Sequence, residues 1–202
     1  MPRTSMTEEE TRTLVLDQAV RLIGEFGANK TTIGDIAEAC GFSTANVHKV
    51  AGTKAEIRLA VCDRMLTARA ERARKAVSKT TRAADKLESF VRAVNADTED
   101  GFKNHRRMHA MVSEAAVERW APVLRYRTRL LDMVREIVTL GVETGEFDVP
   151  DVEAAAIGFH MASFRLFHPL MVDELRGAED AGSIDDFLAF ALRGLGAGTA
   201  SS

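Results

Sequence analysis

Apolar residues recur along this chain at intervals of three and four. Leu16, Ala19, Val20, Ile23 and Phe26 do so over the first stretch, which is the spacing of one helix face. Thr7-x-x-Glu10 has the residues of a capping box, and Gly27 stands where a helix would stop. A first helix is therefore predicted at about 7–26. Ile33, Ile36, Ala37 and Cys40 then fall on one face, behind Thr32-x-x-Asp35 as a second box, and Gly41 closes that helix after two turns. Ser43 has the chemistry of an N-cap. It opens a short helix from Thr44 to about Val50, in which Val47 is the firm core anchor. Gly52-Thr53 breaks the pattern, and Thr53-x-x-Glu56 starts a long helix carrying Ile57, Ala60, Val61 and Ala68 that runs past Ala76.

The remainder continues in the same period. A helix is predicted at about 83–97 from Leu87, Phe90, Val91 and Val94, followed by a turn over Asp97–Gly101. Phe102, Met108, Met111, Val112 and Ala115 mark the next helix. Ala121-Pro122 begins another, since proline is tolerated in a first turn; it runs to Gly145. A very apolar helix is predicted from about Val152 to Leu170, and Ser183-x-x-Asp186 opens a last one ending near Leu195. Alternating strand patterns bounded by turn dipeptides are not found. The fold class is all-α, without internal repeats.

Two short helices joined by a tight glycine turn over 31–50, flanked by a helix on each side, form a helix-turn-helix arrangement, whose second helix enters the DNA major groove. A plain helical hairpin would show the same spacing. Charge is segregated along the chain: residues 57–92 carry 10 basic and 4 acidic side chains, residues 103–129 carry 7 and 2, and residues 130–202 carry 4 and 13. Basic segments suit a polyanion. The first 56 residues, however, hold 6 basic and 8 acidic groups, so DNA contact there would rest on polar side chains and helix ends. With 46% hydrophobic and 28% charged residues, the composition is that of a globular chain. It has no apolar run long enough to span a membrane, and no signal-peptide core in its first ten residues. A cytoplasmic location is expected.

Thr11-Arg12, Ala19, Phe26-Gly27-Ala28, Thr31-Thr32-Ile33, Ile36-Ala37, Cys40-Gly41-Phe42-Ser43 and Lys54-x-Glu56-Ile57 resemble the N-terminal DNA-binding domain of TetR-type transcriptional repressors. The resemblance covers about residues 11–60; the rest matches only in helical layout. It implies an N-terminal three-helix helix-turn-helix domain at 7–53. It also implies a larger C-terminal helical domain for ligand binding and dimerisation at 54–196, with the helix from residue 54 connecting them. Two departures stand out: His48 where the family usually has Tyr, and Ala51 where it usually has Phe. The first alters a backbone contact, and the second removes a buried ring.

Carried over by position, the resemblance places Thr32 at the phosphate-facing start of the first motif helix and Ser43 at the cap of the recognition helix. Thr44, Ala45 and Asn46 would face base edges, with Ala45 able to meet a thymine methyl and Asn46 able to reach adenine. His48 and Lys49 would lie near the DNA backbone, and Lys54 would anchor a phosphate. The implied partners are a palindromic double-stranded DNA operator, a second copy of the chain and a small-molecule effector. Helices 152–170 and 184–195 are the expected dimer surface. Met108, Met111, Trp120, Tyr126, Phe159, Phe164 and Phe167 are candidate effector-lining residues, although such positions also build plain core.

His109 and His160 could hold a divalent metal, zinc or nickel; hydrogen-bonded core histidines are the alternative. His105, beside Arg106 and Arg107, is expected to face solvent. Cys40 and Cys62 lie in helical patterns as buried thiols, with a thiol-based redox-sensing regulator as the alternative function. A helical enzyme is the remaining alternative. No phosphate loop, no Gly-x-Ser-x-Gly and no nucleophile with a spaced base is present, so no catalytic residue is assigned.

Overall fold

The computed structural model describes residues 6–174, 178 and 182–197. Every regular element among them is helical. Ten α-helices follow in order: α1 Glu8–Phe26, α2 Ile33–Cys40, α3 Thr44–Ala51, α4 Lys54–Val77, α5 Ala83–Asn104, α6 Arg106–Val117, α7 Ala121–Glu143, α8 Val152–Ser163, α9 Pro169–Glu174 and α10 Ile184–Gly194, with a 3-10 turn Phe164–Leu166 after α8. Two compact units divide the chain, residues 1–65 with 103–123 and residues 66–102 with 124–202. The divisions fall inside α4, α5 and α7.

Unit 1 is set by local caps. The Thr7 hydroxyl accepts from the Glu10 amide while the Glu10 carboxylate accepts from the Thr7 amide, at 3.1 and 2.7 Å. Thr32 and Asp35 repeat the exchange at 3.2 and 2.8 Å, and Thr53 and Glu56 do so at 3.3 and 2.7 Å. Each pairing satisfies donors that a helix start leaves open. Between α2 and α3, Gly41 takes the left-handed conformation, φ 68° and ψ 32°, which glycine reaches without a Cβ penalty. The Phe42 amide then returns to the Ala37 carbonyl at 2.9 Å, the 6→1 bond of a Schellman ending. Val15, Ala19, Ile23, Ile36, Ala37, Val47, Ile57 and Val61 form the buried centre of these helices. On α3, Val50 and Ala51 are buried together with Val47. Residue 51, the position of the missing ring, is thus a core position. The α6 helix adds Met108, Met111, Val112 and Ala115.

Unit 2 is built around α5 and α7. Leu87, Phe90, Val91 and Val94 face Leu130, Met133, Val134, Ile137 and Val138, joined by Ala156, Phe159, Phe167, Leu188, Ala191 and Leu195. Phe147 folds over α7 so closely that a Cβ on Gly141 would lie 2.1 Å from its ring. The α5 start is capped from afar: the Glu146 carboxylate accepts from the Ala83 and Ala84 amides at 3.0 and 3.4 Å.

Two predicted elements are corrected. Asp97–Gly101 is not a turn; α5 continues through it to Asn104. Thr98 is buried there and donates to the Val94 and Phe167 carbonyls at 3.1 and 3.0 Å, so tertiary contact overrides a loop-like composition. The apolar helix 152–170 is interrupted after Ser163. Pro169 has no N–H to donate and disfavours helical backbone at His168. The freed Leu166 and Phe167 carbonyls are taken up by Asn95 and Thr98 of α5.

Candidate functional site

The α3 helix presents two faces. Taking about 100° per residue, Thr44, Ala45, His48 and Lys49 span an arc of about 140°, and all four are exposed. Val47, Val50 and Ala51 occupy the opposite side and are buried. Asn46 lies between the two, half-buried. The helix is held at both ends. At its start the Ser43 hydroxyl accepts from the Asn46 amide at 3.2 Å. At its end the Arg12 guanidinium, on α1, donates to the Val50 carbonyl at 2.8 Å. That carbonyl is one of the acceptors a helix end leaves open. Arg12 has therefore a visible task, fixing the attitude of α3, which the sequence pattern alone did not assign.

Thr32 and Lys54 flank this helix in sequence. Thr32 is exposed, and its hydroxyl also donates to Asp35 Oδ2 at 2.8 Å. These bonds from Thr32 hold the Asp35 carboxyl below its ordinary range. The Lys54 ammonium donates to the Asn29 carbonyl at 2.9 Å, which tethers it beside the end of α1. Cys40 is half-buried with its sulfur 4.0 Å from the Leu14 carbonyl. Burial raises its thiol pKa, which works against the thiolate that oxidation requires. Cys62 is buried.

The expected effector residues divide between the units. Met108, Met111 and Trp120 belong to unit 1. Both methionines are buried. The Trp120 indole donates to Glu118 at 2.8 Å, and the Arg58 guanidinium lies 5.0 Å from its ring centre. Tyr126, Phe159, Phe164 and Phe167 belong to unit 2 and pack in or against its hydrophobic core. Phe167 meets Phe90 edge-on at 6.5 Å and Phe164 at 5.8 Å, and Phe159 meets Phe187 at 5.4 Å. Burial pushes the Tyr126 phenol up to about 12, so it keeps its proton at neutral pH. A groove of about 500 Å³ in unit 1, lined by Arg21, Leu22, Phe26, Lys30, Asp35, Glu38 and Ala39, touches none of the seven.

His109 is buried in unit 1 and His160 in unit 2. Among the described residues, no three His, Cys, Asp or Glu side chains gather where a metal could bind. His105 is exposed, as its arginine neighbours suggest. No described helix is long and apolar enough to cross a membrane.

Comparison with known proteins bears on the same two regions. Residues 15–61 match the family model for bacterial regulatory proteins of the tetR family. Residues 83–186, just over half of the chain, match the model described as tetracyclin repressor-like, C-terminal domain. The chain is a helix-turn-helix transcriptional regulator and belongs to the TetR family. Solved structures with the same fold include a protein of unknown function from Rhodococcus sp. RHA1 (18% identity, TM-score 0.69, 96% of this chain and 98% of that one covered). The fatty acid degradation regulator FadR from Bacillus halodurans also shares it (14%, 0.64, 94% and 97%). So does the TetR-family regulator PfmR from Thermus thermophilus (21%, 0.55, 95% and 97%). No curated protein sequence matches this chain.

Proposed function

We propose that the protein is a cytoplasmic repressor that grips a palindromic DNA operator as a homodimer and lets go when a small molecule binds its C-terminal domain. The observation that carries this reading is the outward face of α3, polar and exposed, on a helix pinned at both ends. Thr44, Ala45 and Asn46 meet base edges; His48, Lys49, Ser43, Thr32 and Lys54 meet the sugar-phosphate backbone. The DNA-contact domain is 7–53, and 54–196 senses the effector and dimerises.

A helix of two turns reads few base pairs, so two copies about 34–36 Å apart are needed to meet successive major grooves. Surface for that pairing is available. Met161 and Phe190 are 70% and 69% exposed, and Ile157 is 38% exposed. They lie on α8 and α10, which touch each other through Phe159 and Phe187. Apolar side chains left open on adjacent helices mark an association surface. An effector need only favour one spacing of the two α3 helices by a few kcal/mol to empty the operator.

Selection of bound fragments from random DNA tests the reading. Enrichment of an inverted repeat, together with dimer mass in sedimentation, is the expected result. A non-palindromic motif, or no enrichment, would remove it.

A further inference from the structure

The interruption of α8 collects groups that neither the helix nor the core satisfies. His160 is 7% exposed and His168 is half-buried. The Nδ1 atoms of both are buried with no hydrogen-bond partner in the protein, and leaving such atoms unpaired is costly. Their rings line one aromatic wall. His168 lies 4.6 Å from Phe164, His160 lies 5.8 Å from Phe167, and the two phenylalanines meet at 5.8 Å. The Arg127 guanidinium sits 5.1 Å from the Phe164 ring centre. Burial, and then the Arg127 charge, lower both imidazole pKa values. At neutral pH each ring is therefore uncharged and has one N–H to donate. A guanidinium donates only.

We propose that Arg127, His160 and His168 bind the carboxylate of an organic acid, whose apolar body lies against Phe164 and Phe167. This deepens the effector-binding reading above and rests on it. The choice of acid follows from charge and donor balance. Among the described residues, the charge acting on both imidazoles is a cation, so a metal ion would be repelled where an anion is attracted. A carboxylate presents two acceptor oxygens, takes a guanidinium bidentately and can accept from imidazole N–H groups as well. A neutral alcohol can accept from two donors at most and brings no charge to set against the guanidinium. The site lies wholly in unit 2, and the Leu166 and Phe167 carbonyls within the break are held by Asn95 and Thr98 of α5, so the scaffold of the site is fixed from outside the broken segment.

The test uses the full chain and matched probes: benzoate, phenylacetate, hexanoate and decanoate against benzyl alcohol, 2-phenylethanol, hexanol and decanol. Affinity is read by calorimetry, and histidine ring resonances by NMR. At least one acid is expected to bind ten times or more tightly than its alcohol and to shift the His160 and His168 resonances. In Arg127→Met, which alters an exposed side chain, the tenfold preference should vanish while the thermal midpoint stays within a few degrees. Four results overturn the proposal: alcohols binding as well as acids, an acid preference that survives Arg127→Met, no binding by any acid, or zinc shifting both histidines in their place. The effector reading is scored separately, by gel shift on the selected DNA. Release by an alcohol would keep that reading and end the acid assignment. Failure of the wild-type chain to hold any DNA would end the regulator reading whatever the acids do.

Discussion

Unit 1 and unit 2 reach the same end, packed helices, by opposite routes. In unit 1 each of α1, α2 and α4 is started by a Thr and an acidic residue three positions later. The instructions lie inside the segments they govern. In unit 2 the α5 start is capped by Glu146, 63 residues away from Ala83, and the α8 break is held by Asn95 and Thr98, about 70 residues from the carbonyls they bind. Among the described residues of unit 2, α10 repeats the paired device with Ser183 and Asp186, and α8 has a single local cap, the Asp151 carboxylate accepting from the Ala154 amide. The difference has a functional consequence. A reading helix must hold one shape before it meets DNA, and local caps make it rigid. A sensing domain needs groups open to a ligand, and beside the α8 break the Nδ1 atoms of His160 and His168 have no hydrogen-bond partner in the protein.

The largest test of this contrast is in the unit 2 core. Phe90 is fully buried and edge-on to Phe167, so Phe90→Ala is expected to cost about 3–5 kcal/mol in urea unfolding. Gly141→Ala comes next. Its Cβ meets the Phe147 ring, and overpacking of that kind costs about 1–3 kcal/mol. A result near zero would mean that Phe147 swings aside freely and is no brace. In unit 1, Thr53→Ala removes an N-cap and is expected to cost about 1 kcal/mol, with the effect on DNA affinity following through α3 and α4.

Acid separates the two units further. The unfolded imidazole titrates near 6.5, and burial lowers the folded values of His160 and His168. Both rings therefore contribute stability above about pH 6.5, and it is lost as pH falls through that value toward the folded pKa. The Thr32 and Thr53 bonds lower Asp35 and Glu56 from 3.8 and 4.5. Those caps hold above the carboxylate range and weaken only below it. Unit 2 signals should loosen first in a pH titration followed by NMR, and His160→Gln should narrow the gap. Simultaneous loss would contradict the division. The smallest effect is on DNA: Lys54→Ala should weaken all sequences alike and lower the salt slope by about one per subunit.

The same contrast explains what the sequence discloses. The α1, α2 and α3 bounds and the caps of unit 1 are legible because Thr7, Thr32, Ser43 and Thr53 sit beside the helices they start. The exposed arc of α3 follows from Val47 as the anchor of the opposite side, although Val50 and Ala51 are needed to complete that buried side. Asp97–Gly101 reads as a turn by composition, and nothing nearby reveals that Thr98 reaches Phe167. Pro169 was the visible sign of the α8 break, outweighed by an apolar run that continues through it. Arg127 and His168 were legible only as a cation and a histidine; their meeting over Phe164 depends on the break itself. Arg12 is part of the family resemblance, but its bond to Val50 spans 38 positions and is a fact of the fold.

One experiment bears most directly on the role of α3. Ala45→Gln changes an exposed, helix-compatible position in the middle of the outward face. Random-fragment selection with the wild type and this variant should return inverted repeats that differ at one position in each half, with the remaining bases unchanged. Identical motifs from the two proteins would show that α3 does not read the bases.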